Sequence, residues 1–164
     1  MRPARALLMA AALVVLAGTG RVALAEAANI RTDQILFVCE HGNGKSLMAA
    51  SYFNRLANER DLPFVAVARG VELTSTTASP RVAAALLRDK IDVSDFQPRA
   101  VTAADVESSR RVILIGATLP ESATVAGIPT EEWNDASMAN IGIEGLGELL
   151  EQRAESLLEQ LASE

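Results

Sequence analysis

The chain has 164 residues, a formal charge of −6, one cysteine and one histidine. A single thiol excludes an internal disulfide framework and any relay between cysteines of the same chain. The acidic balance argues against nucleic acid and anionic membrane surfaces as partners.

Residues 1–25 read as a secretory leader. Arg2 and Arg5 form a charged start, residues 6–18 form a short apolar core, and Ala23 to Ala25 place small residues where a signal peptidase cleaves. Cleavage after Ala25 would deliver the protein to the periplasm or the medium. The alternative is a membrane anchor, but the apolar run is shorter than the ~20 residues a spanning helix needs. No stable membrane insertion is therefore expected once the leader is gone. Its removal takes away Arg2, Arg5 and Arg21 and no acid, so the charge moves from −6 to −9. Residues 26–164 suit one domain. Export compartments are oxidising, so an unpaired Cys39 is either buried and inert or kept for its reactivity.

Taken in order, residues 34–38 (QILFV) form a continuous apolar run, as in a strand covered on both faces. From Ser46 to Asn58, apolar residues recur at 48/49, 52/53 and 56/57, which predicts a helix. Residues 64–68 (FVAVA) read as a second strand. Ser79 and Pro80 suit an N-cap and first helical position, with the helix running to about Asp89. Residues 101–106 suggest a short helix, 111–115 (RVILI) a third strand, and 128–133 a short fourth. Ile143, Leu146, Leu149, Leu150, Leu157, Leu158 and Leu161 mark one face of a long C-terminal helix, with glutamates on much of the other. Strands alternating with helices predict an α/β fold: an open four-stranded parallel sheet with helices on both faces. Ligands in such sheets sit beyond the carboxyl ends of the strands, which is where Cys39 falls.

The stretch from Cys39 to Ser46 (CEHGNGKS) carries the chemistry. Gly42 and Gly44 let the backbone curl so that successive N–H groups converge, a concavity that binds anions. The helix beginning near Ser46 adds its positive end, which favours an oxyanion and a thiolate alike. Such a thiolate can attack phosphorus, and the Ser46 hydroxyl can either donate to it or cap the helix. The competing reading is a buried core cysteine followed by an ordinary glycine turn.

The segment ILFVCEHGNGKSLMAASYFNRLA resembles the phosphate loop of the low-molecular-weight protein tyrosine phosphatase family, which includes the thiol-dependent arsenate reductases. There a cysteine, five residues, arginine and serine lie between the first strand and first helix. Residues 79–101, RVILI at 111–115 and EEWNDASMA at 131–139 are similar to later parts of the family's plan. The resemblance implies Cys39 as nucleophile, Lys45 in place of the phosphate-binding arginine, Ser46 steadying the thiolate and Asp135 as general acid. The backbone of Glu40, His41, Gly42, Asn43, Gly44, Lys45 and Ser46 would wrap the oxyanion, and no cofactor or metal is called for. Tyr52 and Trp133 are the candidates to flank a substrate ring.

The chain departs from the family's pattern at Lys45, whose ammonium is a point charge rather than a flat two-pronged donor. His41 and Gly42 stand where the family has glycine and asparagine, Glu40 puts a negative charge beside the thiol, and Ala136 replaces the proline after the acid. The expected activity is hydrolysis of a phosphate monoester through a cysteinyl-phosphate. The alternatives are an oxyanion-binding module without turnover, or an arsenate reductase served by an external thiol.

Overall fold

The structure, a computed structural model, describes residues 33–164, with Met138 described in its backbone only. The expected leader and its cleavage point lie outside the described residues. Four strands form one parallel sheet: β1 (Gln34–Cys39), β2 (Val65–Gly70), β3 (Arg111–Leu114) and β4 (Thr130–Glu132), in the order β2-β1-β3-β4. The helices are α1 (Lys45–Glu59), α2 (Pro80–Arg88), α3 (Ala103–Glu107) and α4 (Met138–Ser163). The predicted elements are all present, with β2 running two residues further than its apolar run and β4 confined to three residues.

Because β1 is central, it is covered on both sides, and Ile35, Leu36, Phe37 and Val38 are all fully buried. Side chains alternate across a strand. Ile35, Phe37 and Cys39 join the larger core with α1, α2 and α4, whereas Leu36 and Val38 pack with Val101, Val106 of α3, Val112 and Leu114. That alternation is what turns Cys39 toward α1. Ala66 and Ala68 lie on the same side, and their small side chains let α1 approach β2 closely. Phe37 sits between Phe53 and Trp133, with ring centroids 5.9 and 5.6 Å away. α4 contributes Leu146, Leu150, Ala154, Leu157, Leu158 and Leu161 to this core, at helical spacing. Gly142, with φ 71° and ψ −178°, breaks its first turn from the rest.

The carboxyl end of β2 fixes the loop after β1. Gly70 pairs with Cys39 across the strands. A Cβ on Gly70 would lie 2.6 Å from the Gly42 nitrogen and 2.7 Å from the His41 carbonyl carbon, and one on Gly42 would lie 2.6 Å from the Gly70 nitrogen. Backbone therefore rests directly on backbone, which only glycine permits. Gly42 also has φ +70°. The Val71 and Glu72 amides donate to the Glu40 carbonyl at 2.9 and 2.8 Å, and the Ser79 amide donates to that of Asn43 at 2.9 Å.

Arg69, one residue earlier, is anchored from α3. Its Nε and Nη2 reach Asp105 Oδ1 at 2.9 and 2.8 Å. Thr102 and Asp105 form a reciprocal capping box at the start of α3. Burial alone would raise the Asp105 carboxyl, but hydrogen bonds from Thr102 and Arg69, with the Arg69 charge, hold it below the usual carboxylate range.

Two stability predictions follow from these contacts. Gly70→Ala is expected to cost about 1–3 kcal/mol by chemical denaturation. Because Asp105 is held down on folding, its contribution is complete above the unfolded carboxylate range and is lost as pH falls through its lower folded value. Asp105→Asn should therefore lower stability at pH 7 by about 1 kcal/mol and flatten the acid side of the stability–pH curve.

Candidate active site

Cys39 is the last residue of β1 and is 3% exposed. Its Sγ lies 3.1 Å from Ser46 Oγ, on the first turn of α1, and Ser46 is fully buried. Ser46 Oγ is also 3.2 Å from the Arg69 carbonyl oxygen. A hydroxyl has one proton to give, so two arrangements are open to it. With a thiol, S–H donates to Ser46 Oγ and the hydroxyl donates to Arg69. With a thiolate, the hydroxyl turns to the sulfur. The Arg69 carbonyl is thus the resting acceptor of a proton that can be redirected to stabilise the anion. It is a backbone group, so sequence gave no hint of it.

Ser46 does not cap α1. Gly44 holds the N-cap position without a side-chain bond, and its carbonyl accepts from the Met48 amide at 2.9 Å. The loop's polarity is sorted by direction. The carbonyls of Cys39, Glu40, Asn43 and Gly44 all accept hydrogen bonds from other segments or from α1. Among the described residues, none of the backbone N–H groups from Glu40 to Ser46 donates to a partner. A run of unpaired amides meeting a helix N-terminus and a sulfur has the physical make-up of an anion nest. The clefts of about 670 Å³ beside β2 and about 870 Å³ beside residues 73–77 are lined by none of residues 39–46.

The other expected residues sort clearly. Glu40 is exposed. His41 is exposed, with Nδ1 3.1 Å from the Glu72 carbonyl. A carbonyl only accepts, so Nδ1 carries the proton and Nε2 is left free. Asn43 braces the loop through its carbonyl. Lys45 is half-buried and, among the described residues, its ammonium has neither a carboxylate nor a hydrogen-bond acceptor. Asp135 follows β4 at the carboxyl edge of the sheet, the edge that also carries Cys39. There its exposed carboxylate accepts from Arg153 Nη2 at 2.5 Å. Arg153 in turn lies over the Trp133 ring at 5.4 Å.

Neither aromatic candidate is free to flank a substrate ring. Trp133 is 1% exposed and packs on Phe37. Tyr52 is 2% exposed, with its hydroxyl donating to Asp89 Oδ2 at 2.7 Å. Burial, and then the Asp89 carboxylate, push the Tyr52 phenol well above its ordinary range, so it remains a neutral donor.

No family model matches the chain, and no curated protein matches it in sequence. Solved structures match it in shape. YfkJ from Bacillus subtilis superposes with a TM-score of 0.69 at 20% identity, covering 79% of this chain and 94% of that one. A thioredoxin-dependent arsenate reductase from Corynebacterium glutamicum gives 0.66 at 22%, covering 85% and 67%. A low-molecular-weight protein tyrosine phosphatase from T. tengcongensis gives 0.59 at 19%, covering 77% and 98%. With its β2-β1-β3-β4 parallel sheet and the loop between β1 and α1, the chain has the fold shared by low-molecular-weight protein tyrosine phosphatases and these arsenate reductases.

Proposed function

We propose that the protein is a cysteine-dependent phosphatase acting on a phosphate monoester held in the loop of residues 39–46. The observation that carries this reading is the 3.1 Å contact between Cys39 Sγ and Ser46 Oγ, set beside amides that have no partner in the described chain. An arsenate reductase of this fold has been solved in its phosphate-binding state, which supports an oxyanion as the ligand.

The chemistry needs only groups the chain holds. The Cys39 thiolate attacks phosphorus, the Sγ–P bond forms, and the P–O bond to the leaving group breaks. Asp135 hands its proton to the departing oxygen. Water, deprotonated by the Asp135 carboxylate, then attacks phosphorus, releasing inorganic phosphate and the thiolate. The loop amides and the Lys45 ammonium carry the charge that builds on the equatorial oxygens. Arg153 must release Asp135 for it to act.

A second reading is an oxyanion-binding module without turnover. Its specific support is that Arg153 engages the Asp135 carboxylate, and that Lys45 grips an oxyanion less rigidly than a guanidinium would. An arsenate reductase would need an external thiol, because Cys39 is alone in the chain. We also propose export through the leader; intact-mass measurement of protein recovered outside the cytoplasm is expected to show a chain beginning at Glu26, and a retained Met1 would contradict it.

Hydrolysis of p-nitrophenyl phosphate tests the main reading. Cys39→Ser is expected to fall to the uncatalysed rate, Ser46→Ala to lose about 10²-fold in kcat, and Lys45→Arg to gain activity. A parent that turns over as slowly as Cys39→Ser, yet binds phosphate, would select the second reading.

A further inference from the structure

Beyond Leu114, the last residue of β3, Ile115 keeps the ladder going by donating to the Val38 carbonyl at 2.8 Å, and Gly116 follows with φ +58°. The left-handed conformation favours glycine, but the surroundings give a more particular reason for it here. A Cβ on Gly116 would lie 2.8 Å from Lys45 Nζ and, its own chain neighbours aside, would meet no other heavy atom within 4 Å. Among the described residues, the ammonium alone occupies the space that a side chain at 116 would take.

Lysine's four-carbon stem gives its charge many places to be, unlike a guanidinium fork that is fixed by its own shape. The Lys45 ammonium has three protons to donate and no acceptor among the described residues. At the carboxyl end of β3 it occupies the room left by the missing Cβ of Gly116. We infer that Gly116 is a positioning residue for Lys45: the missing side chain forms the seat that directs the ammonium toward an oxyanion bound in the 39–46 loop. This rests on the oxyanion reading above and deepens it.

The seat works through space rather than bonding. A methyl group at 116 needs more room than 2.8 Å, so the ammonium must move away. Because it ends a flexible stem, it moves at small cost to the fold, and its hydrogen bond to an anion weakens with distance and angle. The left-handed backbone adds strain of its own, but that strain does not depend on what residue 45 is.

Calorimetric titration with inorganic phosphate of four full-length proteins separates the two effects: the parent, Gly116→Ala, Lys45→Met and the double variant, each checked by thermal melting. We expect Gly116→Ala to weaken phosphate binding about tenfold when Lys45 is present and no more than about twofold in the Lys45→Met background. Should the alanine variant fail to fold, Gly116→Asn tolerates the left-handed conformation and gives the same comparison. Equal losses in both backgrounds, or no loss with Lys45 present, overturn the assignment. A parent that binds no phosphate overturns the oxyanion reading itself, and this inference with it.

Discussion

The contact of Gly42 on Gly70 is the constraint from which the site follows. Two backbones touch without side chains between them, at the point where β1 and β2 end side by side. The contact holds the loop after Cys39 against the end of β2. Hydrogen bonds from Val71, Glu72 and Ser79 then engage the carbonyls of Cys39, Glu40 and Asn43. With the carbonyls engaged, the amides are left over. A loop anchored by its acceptors and, among the described residues, free at its donors has the make-up that the proposed oxyanion site requires. A larger residue at either position would part the two segments and let the loop relax.

The same end of β2 links the site to parts of the molecule far from it. Arg69 faces two ways: its side chain is held by Asp105 at the cap of α3, and its carbonyl faces Ser46. The hydroxyl that serves the sulfur is therefore held by an element on the opposite side of the sheet. Lys45 and Asp135 are held more loosely. The first lies over Gly116, and the second is tied to Arg153 on α4. The Cys39 sulfur, the Ser46 hydroxyl and the loop are tied to the ends of β1 and β2, whereas Lys45 and Asp135, the cation and acid of the proposed reaction, are tied less closely to them. Departures from the pattern of the phosphatase family that the sequence resembles fall at Lys45 and Ala136 and also within the loop, at Glu40, His41 and Gly42.

Much of this could be read from sequence, for physical reasons that differ by element. β1 and β3 stand out because covered strands are continuously apolar, and α4 because its buried leucines keep helical spacing. The places of Cys39, Lys45 and Ser46 were legible because a strand, a glycine turn and a helix follow one another there, while their expected roles came from the resemblance to the phosphatase family. β4 was barely legible: Thr130, Glu131 and Glu132 are all exposed, and they pair through backbone that leaves no hydrophobic pattern. The break at Gly142 was hidden inside a helical run. The burial of Tyr52 and Trp133, the carbonyl of Arg69 facing Ser46, the Arg153–Asp135 pair and the seat at Gly116 are all contacts between distant segments. Composition and periodicity carry no trace of them.

We propose that the amides of the loop after Cys39 form an oxyanion site whether or not turnover follows. The most direct measurement is an amide-resolved NMR titration of the isotopically labelled protein with inorganic phosphate. Saturable shifts are expected on the N–H signals of residues 40–46, with β4 and the far end of α4 unmoved. Shifts scattered over surface cations, with those loop amides silent at high phosphate, would contradict the proposal.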